Sequence, residues 1–295
     1  MNQPEPHCAA PLAGRSALIT GVSRRQGIGF GVARELAGLG ASVFFQHFSP
    51  HDAEQPWGSD DIEAVRAELD AALIPGAQSG DLALDLTDTE RIPELLDAAL
   101  ALTGRLDILV CNHAKSGDDG GILDMTPERL DAFWDVNTRS TLLLTAEYAR
   151  RISGRTQGAS LRPGDRTDSG TTFHEPTGRI IWMTSGQLHG PMRGEVAYAT
   201  SKAALAGTTA TVAAELLDHG VVLNTINPGP VNTGYLDAEH TDRSAEGIAE
   251  VEAAMPFGRF GKPSDPANLI GWLCTDAGSW VVGQVLTSDG GFSLR

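Results

Sequence analysis

Ser16-Ala17-Leu18-Ile19-Thr20-Gly21-Val22-Ser23-Arg24-Arg25-Gln26-Gly27-Ile28-Gly29 carries a short apolar run through a glycine turn and into an amphipathic stretch that ends near Leu39. Ser16 to Thr20 reads as a buried strand and Gly27 to Leu39 as the helix that follows it. Glycines at 21, 27 and 29 let the backbone turn tightly and approach a pyrophosphate, whose charge then sits at the helix N-terminus. Glycine is common in strand-to-helix turns, so the triplet takes its meaning from its place after the first strand. The stretch predicts the opening βα unit of a dinucleotide-binding sheet.

The same strand–helix order repeats downstream. Ser42 to Gln46, Leu82 to Leu86, Leu106 to Cys111, Arg179 to Met183, Val221 to Ile226 and Gln284 to Thr287 are the further strands. Between them, Ser59 is the expected cap of a helix with Ile62, Val65, Leu69 and Leu73 on one stripe. Thr87 with Glu90 reads as a capping box before Ile92, Leu95, Leu96 and Leu100. Pro127 to Ile152 is helical in two segments, Ala197 to His219 is one long helix, and another helix lies near Pro266 to Thr275. The pattern predicts an α/β fold: one Rossmann-like, doubly wound domain over 12–295, its seven-stranded parallel sheet flanked by helices on both faces. Residues 1–11 read as a disordered tail with no secretory character. Ser153 to Thr177 lacks apolar periodicity and reads as a surface insertion, with a lid or subunit contact as the alternative.

Composition excludes several classes of function. A formal charge of −16 over 295 residues repels nucleic acid and anionic membranes. No apolar run approaches the roughly 18 residues of a membrane span. Three cysteines (Cys8, Cys111, Cys274) without metal-like spacing suit a reducing cytoplasm, and the scattered histidines form no ligand set, so no metal is expected.

Tyr198-Ala199-Thr200-Ser201-Lys202 places a phenol and an ammonium four residues apart on one helix face. A phenol ordinarily titrates near pH ~10, and a neighbouring ammonium moves it toward neutrality, where it can serve as acid or base. Such pairs arise by chance on surface helices. Here Ser185 supplies a hydroxyl thirteen residues upstream, beyond a strand, and the glycine turn supplies a nucleotide site. The second strand ends at Gln46-His47, without the acid that would hold a ribose 2′-hydroxyl, whereas Arg24 and Arg25 suit a 2′-phosphate. NADP(H) is therefore preferred over NAD(H).

Together these residues resemble the short-chain dehydrogenase/reductase family, from about Leu12 to Phe292. Gly21, Gly27 and Gly29 resemble its glycine motif, with two extra residues between the first and second glycines, as in the enoyl reductase branch. The Tyr198–Lys202 spacing is that of the ketone and alcohol branch, similar to 3-oxoacyl-[acyl-carrier-protein] reductases. Asp85-Leu86 resembles the adenine-contacting step, and Cys111-Asn112-His113-Ala114 a variant of the Asn-Asn-Ala-Gly motif. Asn137 resembles the helix asparagine of the catalytic tetrad. Asn227-Pro228-Gly229-Pro230-Val231-Asn232-Thr233 resembles the nicotinamide-cradling segment, and Ser288-Asp289-Gly290-Gly291 is also family-like.

The resemblance implies hydride transfer between a nicotinamide and a ketone or secondary alcohol. Tyr198 would move the hydroxyl proton, Lys202 would lower its pKa and hold the ribose, Ser185 would polarise the carbonyl, and Asn137 would position a water. The cofactor would meet Gly21, Ser23, Arg24, Arg25, Gly27, Ile28, Gly29, His47, Asp85, Leu86, Asn112, Ala114, Tyr198, Lys202, Pro228, Gly229, Val231 (at the carboxamide) and Thr233 (at the phosphates). Substrate contacts are expected from His113, Gln187, Leu188 and Met192, within pocket-lining segments His113 to Gly121, Gln187 to Glu195 and Thr233 to Met255, the last an acidic helical lid. A homo-oligomer, tetramer or dimer, is implied through the helices around Asn137 and Tyr198. Two other readings stand beside this one: a non-catalytic dinucleotide sensor or regulatory subunit, and an enoyl reductase.

Overall fold

The computed structural model describes residues 10–153, 175–237, 241 and 244–295. Within them β1 (Ser16–Ile19), β2 (Ser42–His47), β3 (Ser79–Ala83), β4 (Ile108–Cys111), β5 (Gly178–Met183), β6 (Val221–Asn227) and β7 (Val285–Thr287) form one parallel sheet in the order β3-β2-β1-β4-β5-β6-β7. The helices are α1 (Ile28–Gly38), α2 (Ser49–Ala53), α3 (Ile62–Asp70), α4 (Ile92–Thr103), α5 (Pro127–Phe133), α6 (Ser140–Ser153), α7 (Val196–Leu217), α8 (Ala245–Ala254) and α9 (Ser264–Cys274). A π-helical segment, Trp134–Arg139, joins α5 to α6.

Successive strand side chains point to opposite faces, and both faces here are apolar. Ala17, Ile19, Val43, Phe45, Ile108, Val110, Ile181 and Met183 pack with α1, α3 and α9. Leu18, Phe44, Leu109, Cys111, Ile180 and Trp182 pack with α4, α6 and α7. That two-sided burial is why the central strands read as continuous apolar runs. It gives the doubly wound sheet expected from the sequence.

Local departures have local causes. β3 lies at Ser79–Ala83 and not at Leu82 to Leu86: it is an edge strand, so Ser79, Gly80 and Asp81 can pair with β2 without full burial. Leu84 and Leu86 are buried beyond the ladder's end. The capping box of Thr87 and Glu90 does not form. The Thr87 amide donates instead to Asp85 Oδ1 (2.9 Å), and a 3-10 turn, Thr89–Arg91, precedes α4. Asp61 caps α3 in place of Ser59, its carboxylate accepting the Glu63 amide at 3.0 Å. Most of the expected tail (residues 1–9) and of the insertion (154–174) lies outside the described residues, as do 238–240, 242 and 243 of the acidic stretch before α8.

Candidate active site

β1 and β4 are neighbours whose chains continue to opposite faces, into α1 and toward α6. A crevice opens at such a switch point beyond the strand C-termini. Here it is a cleft of about 700 Å³.

The glycine turn forms one wall. Gly21 has φ +71°, and a Cβ there would stand 2.7 Å from the His113 Cα; a Cβ on Gly29 would stand 2.5 Å from the Gly21 carbonyl oxygen. The turn is therefore pressed against the end of β4, and Asn112 Nδ2 donates to the Thr20 and Gly21 carbonyls (3.2 and 3.1 Å). Gln46 supplies a clasp from the other side. Its Oε1 accepts the Gly21 amide (2.9 Å) while its Nε2 donates to the Leu84 carbonyl (2.6 Å). The sequence showed this position only as a missing acid. Gly27 precedes α1 in extended backbone, no side chain caps the helix, and its first turn holds no acid. An uncapped helix end beside a cleft lined by Gly21, Ser23, Arg24, Gly27 and Ile28 fits a pyrophosphate.

The two loop arginines part company. Arg24 lies in the cleft: its Nε pairs with Asp52 (3.1 Å), its Nη1 donates to the Thr233 carbonyl (2.8 Å), and its guanidinium lies 5.7 Å from the Trp57 ring centroid. Burial pulls its pKa down, against the opposing pull of Asp52. Arg25, expected at the cofactor, is outside this cleft. Asp60 holds it through Nε, Nη2 and the backbone amide, and the pair lowers the carboxylate to about 2. His47, also expected there, is buried against Asp81 (3.1 Å), and burial lowers its pKa. Both departures arise from acids that sequence spacing does not connect to them.

On the opposite wall, Tyr198 and Ser185 face the same cleft. Lys202 lies behind them, 2% exposed, with Nζ donating to the Met183 carbonyl (3.1 Å) and 5.9 Å from the Tyr198 ring centroid. Burial pushes its pKa down to about 8. Ser185 is extended (φ −149°), and its Oγ lies 3.9 Å from Met192 Sδ. Asn137 sits in the π-helical segment, fully buried. Its Oδ1 accepts the Lys115 amide (2.7 Å), and its Nδ2 donates to the Lys115 carbonyl (3.2 Å) and to Ser201 Oγ (2.9 Å). The side chain is thus a positioning group, binding the loop after β4 to the helix that carries Tyr198.

Of the four expected substrate contacts, Met192 and His113 border the cleft and Gln187 and Leu188 do not. Gln187 Nε2 donates back to Thr184 Oγ1 (2.9 Å), and Leu188 is exposed. The His113 ring is spent on the protein, with Nδ1 2.6 Å from Thr20 Oγ1 and Nε2 2.7 Å from Ser140 Oγ. Burial, then the Lys202 charge, pushes its pKa down to about 3, so it is a neutral wall. Asp85, Leu86, Asn112, Ala114, Pro228, Gly229, Val231 and Thr233 all border the cleft.

The sequence places Asp119 only within a pocket-lining loop and gives no sign of its role as a helix cap. From the loop after β4 its Oδ1 accepts the Gly120 and Ala197 amides (2.7 and 3.1 Å) and its Oδ2 the Tyr198 amide (2.8 Å). The Gly120 carbonyl accepts the Val196 amide (3.2 Å). The loop therefore caps α7 from 78 residues away, and the local residue at the cap position, Glu195, makes no side-chain cap. Asp119→Ala should cost about 1–2 kcal/mol in urea unfolding, the value of a lost N-cap carboxylate, and Asp119→Asn should recover most of it.

A family model described as enoyl-(acyl carrier protein) reductase matches residues 21–161 and 168–293. The chain is 33% identical over 278 residues to an uncharacterized oxidoreductase of Bacillus subtilis, covering 94% of this chain and 96% of the relative. It is 34% identical over 286 residues to an NADPH-dependent aldehyde reductase-like chloroplastic protein of Arabidopsis thaliana (96% and 95% covered). Among solved structures, a short-chain dehydrogenase/reductase from Serratia marcescens superposes with a TM-score of 0.75 at 28% identity, covering 96% of this chain and 99% of that one.

Proposed function

Because the chain belongs to the short-chain dehydrogenase/reductase family, we propose that it is an NADP(H)-preferring oxidoreductase interconverting a ketone and a secondary alcohol. The observation that carries this reading is convergence: Tyr198, Ser185 and an uncapped helix end border one cleft, with Lys202 buried directly behind Tyr198. The nicotinamide, when bound, supplies the hydride. Tyr198 gives its hydroxyl proton to the nascent alkoxide, or takes it in the reverse direction. Ser185 donates a hydrogen bond to the carbonyl oxygen as charge grows there. Lys202, with a low pKa for a lysine, favours the phenolate and recovers a proton readily. Asn137 and Asp119 hold the loop and helix so that these groups keep their spacing.

NADP preference is supported by Arg24, the loop arginine that borders the cleft. Its charge is shared with Asp52, so a 2′-phosphate must compete with that carboxylate. Arg24→Ala should raise the KM for NADPH about tenfold while moving that for NADH much less, the loss expected for one charge-assisted contact. Equal shifts for the two cofactors would remove Arg24 from this role.

Steady-state oxidation of NADPH against ketones, aldehydes and an enoyl thioester tests the whole reading. Reduction of carbonyls is the expected result. The lengthened glycine loop and the description of the matching family model favour the enoyl reductase reading, and turnover of the thioester alone would establish it. Binding of NADPH without any turnover would establish the sensor reading. Leu130, Trp134 and Leu143 are exposed along the α5–α6 stretch, which supports pairing of copies through this region, to be checked by light scattering. No helix of the described residues is long and apolar enough to cross a membrane, and buried, unpaired Cys111 and Cys274 suit a reducing, cytoplasmic setting.

A further inference from the structure

We propose that Lys115 reads a negative charge on the substrate, so that the cleft selects ketones or aldehydes bearing a carboxylate. The inference rests on the reductase reading and narrows its substrate class. Lys115 is the first residue after the Cys111-Asn112-His113-Ala114 turn, and its amide and carbonyl are both bound by the side chain of Asn137. Its backbone is therefore fixed on either side of the side chain. The ammonium stands 5.3 Å from the centroid of the Phe133 ring, and that ring meets the Tyr198 ring edge-on at 6.4 Å. One aromatic ring thus separates the cation from the group that handles the carbonyl proton.

Three of the acids bordering the cleft have other partners, while Glu54, Asp85 and Glu195 also line it. Asp119 is consumed by three backbone amides, Asp52 by Arg24, and Asp118 faces Arg129 at 3.7 Å. Among the described residues no carboxylate lies within 4 Å of Lys115 Nζ. A phenyl face alone holds a cation weakly, by about 0.5–1 kcal/mol at exposed sites, so the ammonium is available to a stronger, charge-assisted partner. His51, on the same cleft, is held below its ordinary pKa chiefly by burial, against the opposing pull of Asp52, with Lys115 adding to the lowering. The glycine turn and the start of α1 border the same cleft. A substrate whose carbonyl lies at Tyr198 would carry its carboxylate past Phe133 to Lys115.

The test uses the full chain with NADPH and matched pairs of substrates: 3-, 4- and 5-oxo acids and their methyl esters. The quantity read is the ratio of kcat/KM for acid to that for ester. In the unaltered protein the acid should be favoured, and the preference should weaken as salt rises. Lys115→Met should lower the ratio by about 10- to 100-fold, the value of a hydrogen bond to a charged group, and Lys115→Arg should restore most of it. A ratio unchanged in Lys115→Met overturns the inference. So does a shift in the NADPH KM with the ratio intact, which would place the cation at the cofactor. Ester reduction by the unaltered protein reports on the reductase reading separately: if esters are reduced and the ratio is indifferent to Lys115, only the charge-reading role fails. If no carbonyl is reduced at all, the reductase reading fails first and takes this inference with it.

Discussion

Tyr198→Phe should reduce kcat for carbonyl reduction by about 10²- to 10⁴-fold, the range for a positioned general acid, with little change in folding or in cofactor binding. The substitution removes one oxygen and keeps the ring, whose edge-on contact with Phe133 (81° between planes) supports the local packing. What remains is orientation and the Ser185 hydrogen bond. The pH profile sharpens the expectation. The Lys202 ammonium titrates at about 8 because its burial disfavours charge. On the proposed mechanism the lysine is charged below that pH and favours the phenolate; above it that charge is lost and reduction should slow. That alkaline limb should be present in the unaltered enzyme and absent from the residual rate of Tyr198→Phe. A variant that retains a near-normal rate would take the phenol out of the mechanism.

Gly29→Ala should be strongly damaging for a single added methyl in the chain's first βα unit. The added carbon would stand 2.5 Å from the Gly21 oxygen and 2.6 Å from Asn112 Nδ2. Both are pinned: Gly21 by Gln46, and Asn112 by its bonds to the Thr20 and Gly21 carbonyls. Neither can retreat without opening the turn, so a loss of about 1–3 kcal/mol is expected from overpacking, together with loss of NADPH binding. Gly38→Ala on the same helix is the control. A Cβ there meets nothing within 4 Å, and alanine should stabilise the helix by up to about 1 kcal/mol. Urea unfolding and cofactor titration of the two variants should therefore move in opposite directions in stability and diverge in binding. Equal behaviour would mean that the turn is more plastic than its contacts indicate.

What could be read from the chain was whatever repeats at short range. Ile19, Phe45, Val110 and Ile181 lie in runs apolar enough to mark central strands, and the parallel, doubly wound sheet followed from their alternation with helices. Tyr198 and Lys202 were legible because a helix brings i and i+4 together. Contacts across long stretches of chain were not legible. Nothing near Asp119 signals that it caps a helix 78 residues on, and Asp60 captures Arg25 from 35 residues away. Gln46 looked like an absence because the expected group was an acid, whereas the fold uses its amide to bridge two strands' ends. The edge strand was misplaced for a related reason: Ser79 and Asp81 pair along a ladder that only half buries them, so hydropathy gives no sign of it.

The π-helical segment at Trp134–Arg139 means that the α5–α6 rod carries surplus backbone where Asn137 sits. Removing a single residue from 134–139 would let the rod relax into regular α-helix. The flanking turns would keep nearly their present register, because the wider turn is what absorbs the extra residue, and the change would fall on the bulge itself. Asn137 could no longer face Lys115 and Ser201 together while Phe133 and Leu144 kept their places in the core. A one-residue deletion there, far less drastic than losing a whole loop, would thus uncouple a helix that still folds from the loop it is meant to hold.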